Sequence, residues 1–150
     1  MIQLSHQPID PGALLTAFSA GRRETGAIAT FTGLARAELG QTNILELEAY
    51  PGFTDAQIAE HAATATARFD LQDLTIVHRV GRIEPGQPIV FVATAAAHRR
   101  AAFEACDYLM DYLKSRAPFW KKEIGPTGER WVEPKPQDHT DLARWETTST

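Results

Sequence analysis

Residues 89–95, IVFVATA, run almost without a polar side chain. A half-wet strand would alternate, so this stretch predicts a strand buried on both faces in the middle of a sheet. A helix must follow it. In 98–116, HRRAAFEACDYLMDYLKSR, the residues Phe103, Cys106, Met110 and Leu113 recur at three- and four-residue steps, and Pro118 ends the pattern. The remaining elements read outward from this pair. Asp10 and Pro11 have the form of an N-cap and first position for a short helix over 10–20. Residues 26–33 and 43–50 alternate as strands, with turn-like polar chemistry over 34–41 between them. Thr54-Asp55-Ala56-Gln57 has the form of a capping box opening a helix to about Phe69. Residues 73–79 predict a strand, and Gly81 to Pro88 a loop. Residues 119–124 and 129–133 flank Gly125-Pro126-Thr127-Gly128 as a hairpin. The alternation of strands and helices implies an α+β or α/β domain. After Pro134 the chain is polar, and its end, ETTST, is expected to be loose.

Composition removes several function classes. The chain has 150 residues, 43% hydrophobic, which suits one domain with a real core. No apolar run approaches the roughly 20 residues of a membrane helix. The first residues lack a basic-then-apolar leader, so the expected location is cytoplasmic. A net charge of -4 argues against nucleic acid as partner. Yet Arg22, Arg23, Arg99, Arg100, Lys114, Arg116, Lys121 and Lys122 form local basic groups, which suit a small anion better than a polymer. There is no Gly-rich phosphate loop and no Gly-x-Ser-x-Gly elbow. His6, His61, His78, His98 and His139 lack ligand-like spacing, so no metal is expected. Cys106, alone and on the apolar stripe of its helix, reads as a core residue, not a reactive thiol.

The chemistry concentrates in residues 97–123. His98-Arg99 opens a helix, where free N–H groups favour anions. Lys114 closes it, and Lys121 follows on the next strand. Ordinary structural roles fit as well: Lys114 complements a helix dipole, and Lys121 and Lys122 decorate a wet strand. Two details point the other way. Phe119-Trp120 puts bulky rings beside Lys121, which could desolvate it and lower its pKa. Strand alternation also sends Lys121 and Lys122 to opposite faces, with Lys121 on the side of Phe119.

The run AHRRAAFEACDYLMDYLKSRAPFWKKE closely resembles the signature of the molybdopterin synthase large-subunit family. GAIATFTGLAR (26–36), LELEAYPGFTD (47–55), IVHRVGRIEPGQPIVFV (76–92) and GERWVE (128–133) extend the likeness over most of the chain. The resemblance implies a family domain over 1–134 followed by a polar tail over 135–150. It implies an α+β fold of the α/β hammerhead type with a small additional α+β subdomain. The implied activity is sulfur transfer without a cofactor. A small ubiquitin-like carrier, bearing a thiocarboxylate on its C-terminal glycine, would sulfurate cyclic pyranopterin monophosphate (precursor Z) to the dithiolene of molybdopterin. The implied assembly is a heterotetramer around a central dimer of large subunits. Residue by residue, the family's catalytic lysines fall on Lys114 and Lys121. Its substrate pocket falls on Arg36, His98 and Arg99, with Leu34, Ala35, Lys122 and Glu123 lining it. Leu34 departs from a position that is basic in many relatives, and Ala96 from one that is often serine.

Helix length adds a constraint. His98 and Lys114 are sixteen residues apart, hence roughly 24 Å along one helix. A pterin monophosphate is far shorter, which predicts a composite pocket: the lysines from one protomer, His98 and Arg99 from its dimer mate. Two rival readings stay open on the residues alone, a docking module without catalysis and a nucleotide- or RNA-binding protein.

Overall fold

The computed structural model describes residues 1–37 and 43–146. Within them lie four helices and two four-stranded sheets, the mixed α+β class that the alternation implied. The central strand is where the apolar run put it. Strand β6 (Pro88–Ala96) is buried throughout from Val90 to Ala96. It pairs antiparallel with both β4 (Asp73–Arg79) and β2 (Ala27–Leu34), and β1 (Ile2–Ser5) adds to β4 in parallel. Helix α1 (Pro11–Ser19) covers one face, where Phe18 and Ile9 pack on Val77, Phe91, Ala93 and Ala95. Helices α2 (Thr54–Phe69) and α3 (Arg99–Ser115) cover the other, where Ile58, Ala65 and Leu109 pack on Ile76 and Val92. Cys106 belongs to that second core, and burial, reinforced by the Asp107 charge, pushes its thiol up to about 12. It is a core residue, as its place on the apolar stripe implied.

The second sheet is antiparallel, in the order β5 (Gly81–Ile83), β3 (Ile44–Ala49), β7 (Phe119–Gly125), β8 (Gly128–Val132). Its small core is Leu45, Leu47 and Ile83, with Ala35. Ile83 corrects the expectation of a plain loop over Gly81–Pro88. It is fully buried opposite Leu45, and that burial draws three residues into a strand before Pro85-Gly86 turns the chain.

Three other expectations change. Asp10 caps α1 by accepting from Ala13 N at 3.1 Å, as its position suggested. Thr54, however, forms no capping box, because Phe53 is the residue before α2 and gives no side-chain cap. The Thr54 hydroxyl instead accepts from Tyr50 N at 2.8 Å and donates to Pro118 O at 2.9 Å. It ties the start of α2 to the link between α3 and β7. Strand β1 was not expected, since four residues are too few to show a period; parallel pairing with Ile76–Arg79 makes it. Past Pro134 the chain forms α4 (Pro136–Ala143), which buries only Leu142. Just beyond α4, Arg144 and Trp145 donate to one Asp111 carboxylate oxygen on α3, at 2.8 and 2.6 Å. Residues 38–41 of the expected turn and 147–150 of the ETTST tail lie outside the described residues.

Candidate active site

The two candidate lysines flank the passage from α3 to β7. Lys114 stands exposed in the last turn of α3. The helix stops when Arg116 N and Ala117 N both bond back to Tyr112 O, at 2.8 and 3.1 Å. Pro118 then turns the chain into β7, the middle strand between β3 and β8. There Lys121 lies between Leu47 and Val132. Burial, and next the charge of Lys114, hold its ammonium below the usual lysine range. Glu123 and Asp138 oppose that lowering, while Lys135 adds to it. The two lysines are therefore electrostatic neighbours, and one of them is partly desolvated.

Phe119 shares the Lys121 side of β7 and stacks on the ring of His78 at 4.2 Å and 24°. His78 ends the helix-facing side of β4 and is buried. Burial outweighs its hydrogen bond to the Arg79 carbonyl and, with the Lys114 and Lys121 charges, brings its pKa to about 4. It is a neutral ring at physiological pH. Sequence reasoning passed it over. The available signal was a lone imidazole within the apolar sequence of a covered strand.

Lys122 goes the other way. It pairs with Glu129 at 2.7 Å and lies 5.2 Å from the Trp131 ring centroid. The Glu129 hydrogen bond holds its pKa above the usual lysine range. Its chain does not bring it to Lys121. Glu123 returns to the Lys121 side, held by Arg130 at 2.8 Å.

The anion-binding candidates lie elsewhere. His98 and Arg99 are exposed at the first turn of α3, and Lys114 is in its last. His98 precedes the helix in extended conformation, and its side chain makes no cap bond, so the ring is not committed to the helix. The corner that carries it is tight. Gly26 N donates to Ala96 O at 3.0 Å, and a Cβ on Gly26 would collide with the Ala97 carbonyl. Leu34, 56% exposed, ends β2. Ala35 is buried and exchanges backbone bonds with Gln87 O and Gly86 N, at 2.9 and 2.7 Å. Arg36 follows it into solvent.

Two concavities lie away from the lysines. One of about 1100 Å³ runs beside α1, where Arg22 covers Phe18 and pairs with Asp73 at 2.6 Å. The other, about 320 Å³, is lined by His61, Tyr108, Tyr112, Arg116 and Trp145. Among the described residues no cluster of His, Cys, Asp and Glu could hold a metal ion.

The family model described as MoaE protein matches residues 4–116. This chain belongs to the MoaE family. The molybdopterin synthase catalytic subunit of Caulobacter vibrioides is 69% identical over 146 residues, 97% of each chain. That of Mesorhizobium japonicum is 49% identical, covering 99% of this chain and 94% of its own. Among solved structures, a molybdopterin biosynthesis MoaE protein from Burkholderia ambifaria superimposes with a TM-score of 0.82 at 44% identity, covering 97% of each chain. Molybdopterin synthase from Staphylococcus aureus gives 0.77 at 29% identity, over 86% of this chain and 94% of that one. A complex of the two molybdopterin-converting factor subunits from Helicobacter pylori shares the fold, with a TM-score of 0.76 at 20% identity.

Proposed function

We propose that the chain is the catalytic subunit of molybdopterin synthase. It transfers sulfur from the thiocarboxylate of a small ubiquitin-like carrier to cyclic pyranopterin monophosphate. The observation that carries this reading is the lysine pair: on a MoaE-family chain, the charge of Lys114 bears on a partly desolvated Lys121, which shares its side of β7 with the Phe119 that stacks on buried His78. Two cations that raise each other's energy form a site that gains from an anion, and both a thiocarboxylate and a phosphate ester are anions.

The roles follow from placement. Lys121 binds substrate and stabilises negative charge as it develops. Lys114, more exposed and at the helix end, meets the incoming tail of the carrier and assists transfer by proton donation or charge neutralisation. Arg36, His98 and Arg99 hold phosphate or the polar pterin edge, arginine being suited to bidentate oxyanion contact. His98 and Lys114, at opposite ends of α3, are sixteen residues apart within one chain, about 24 Å. A dimer therefore builds each pocket from the lysines of one copy and His98-Arg99 of the other. A carrier chain as sulfur donor fits the single thiol of this chain, Cys106, being buried. Among the described residues no helix is long and apolar enough to cross a membrane. The cytoplasm is the proposed compartment, supported by a single buried thiol that needs no oxidising environment.

The test is incubation with the pterin precursor and a thiocarboxylated carrier, with mass detection of the dithiolene product; no product with active carrier refutes the reading. For the composite pocket, an Arg99→Ala chain mixed with a Lys114→Ala chain should regain activity that neither has alone. Verified mixed dimers without recovery would refute the shared site.

A further inference from the structure

On the Lys121 side of β7 a carboxylate stands between two cations. Strand alternation puts Phe119, Lys121 and Glu123 on that side. Lys121 lies opposite Leu47 of β3 and Val132 of β8, whose side chains cannot accept a hydrogen bond. Glu123 lies opposite Leu45 of β3 and Arg130 of β8. It is the next residue along this face from Lys121, roughly 7 Å between Cα atoms, and directly across from Arg130. Either cation is within its reach. It takes Arg130, whose Nη2 donates to Glu123 Oε2 at 2.8 Å. Among the described residues Lys121 forms no ion pair. The other charged groups bearing on Lys121 are Lys114 at the end of α3 and Lys135 and Asp138 at the start of α4, and His78 on β4 is neutral. The Arg130–Glu123 pair contributes little to stability, because Arg130 is exposed and water screens it. Folding alone does not call for it.

We infer that Arg130 is a positioning residue of the lysine site: it holds the Glu123 carboxylate toward β8 and so keeps it from pairing with Lys121, whose ammonium stays open to an anion. Without Arg130 the carboxylate turns to the cation that remains on its face, Lys121. An incoming phosphate or thiocarboxylate then has to displace it. The charge balance changes as well. Lys121, Glu123 and Arg130 together are net positive, whereas Lys121 and Glu123 alone cancel. An anion gains from the first arrangement and not from the second. A lysine in place of Arg130 would keep both the pair and the positive sum. The inference rests on the reading of the lysine pair given above.

Two measurements on the full-length chain test it. The first follows the Lys121 side chain by NMR over a pH series, in protein carrying carbon-13 lysine, with the resonance identified by its loss in Lys121→Arg. Arg130→Ala should raise the Lys121 pKa by about one unit, the lower end of what an opposite charge at roughly 4–6 Å does. Losing the guanidinium charge would itself raise it, so the same step is read in Glu123→Gln, where no carboxylate can turn. There the rise should be less than about half as large, since exposed charges farther apart are screened. An unmoved pKa, or an equal rise in both backgrounds, overturns the inference. The second is turnover with the pterin precursor and thiocarboxylated carrier. Arg130→Ala should raise KM for the pterin about tenfold, because binding must now break an ion pair, with Tm within about 2 °C of native. Arg130 makes one bond to Glu123 and not a bidentate pair, so Arg130→Lys should bring KM back to within about threefold of native. Native KM in Arg130→Ala, or equal loss in the alanine and lysine chains, overturns the inference. An inactive native chain would instead strike the proposed function, and the Lys121 titration would still decide the role of Arg130.

Discussion

Replacing Thr54 with valine isolates the link between the α2 start and the lysine site. The side chain is fully buried, and its hydroxyl bridges Tyr50 N and Pro118 O at 2.8 and 2.9 Å. Valine keeps the shape and deletes both bonds, leaving a part-buried N–H and carbonyl without these partners. At about 1.5 kcal/mol for each, including desolvation of the orphaned groups, the loss is roughly 3 kcal/mol. For a chain of this size that lowers Tm by roughly 6–12 °C. Differential scanning calorimetry of Thr54→Val and Thr54→Ser measures it, and serine, which keeps the hydroxyl, should fall by less than half as much. Because Pro118 lies between Lys114 and Lys121, turnover at a temperature where both variants are folded should also drop in the valine chain. A capping box predicts something else, namely that Gln57→Ala is as harmful as losing Thr54. Here Gln57 contributes its backbone N–H, to Phe53 O at 3.0 Å. Its alanine variant should stay within about 0.5 kcal/mol of native. A valine chain with native Tm, or a damaging Gln57→Ala, would refute the bridge.

Three other outcomes are expected. His78 falls from 6.5 to about 4 on folding and His61 does likewise, each mainly through burial. The unfolded chain then takes up protons first on acidification, so stability is full above about pH 6.5 and falls as pH drops toward 4. His78 accounts for roughly 3 kcal/mol of that fall, read from urea midpoints across the window; a flat profile would contradict its burial. Lys114→Ala should lower single-turnover sulfur transfer at least about a hundredfold with Tm within about 2 °C, since an exposed lysine carries little stability. It should also raise the Lys121 pKa and move the basic limb of the rate profile to higher pH, and an unmoved limb would deny their coupling. Gly26→Ala should cost about 3 kcal/mol through the clash with Ala97 O and weaken pterin affinity by disturbing the His98 corner; native stability by chemical denaturation would show that the corner yields.

The large elements were legible because their signals are local. The apolar stripe of α3 and the unrelieved run of β6 state their burial in nearby residues, except at Phe103, which was expected on the stripe and is 65% exposed. What escaped depended on distant partners. Strand β1 exists because β4 offers a parallel edge, β5 because Ile83 fits beneath Leu45, and α4 is followed by Arg144 and Trp145 because Asp111 receives both. Thr54 shows the same limit from the other side: a sequence form that suggests a local cap serves a contact sixty-four residues away. At the site, strand alternation separated Lys121 from Lys122 correctly, and burial lowers the Lys121 pKa. His78 could not be read, because nothing in its own segment says that Phe119 will cover it.

Strand β7 presents unlike chemistry on its two sides, and this restricts how the chain can change length. Inserting one residue between Pro118 and Lys121 while keeping the ladder would exchange the sides. Lys121 would take the place beside Glu129 and Trp131 that Lys122 now holds, and Lys122 would move to the register position of Glu123. Insertions in this short passage are therefore tolerable in pairs and disabling when odd. Its length counts in steps of two.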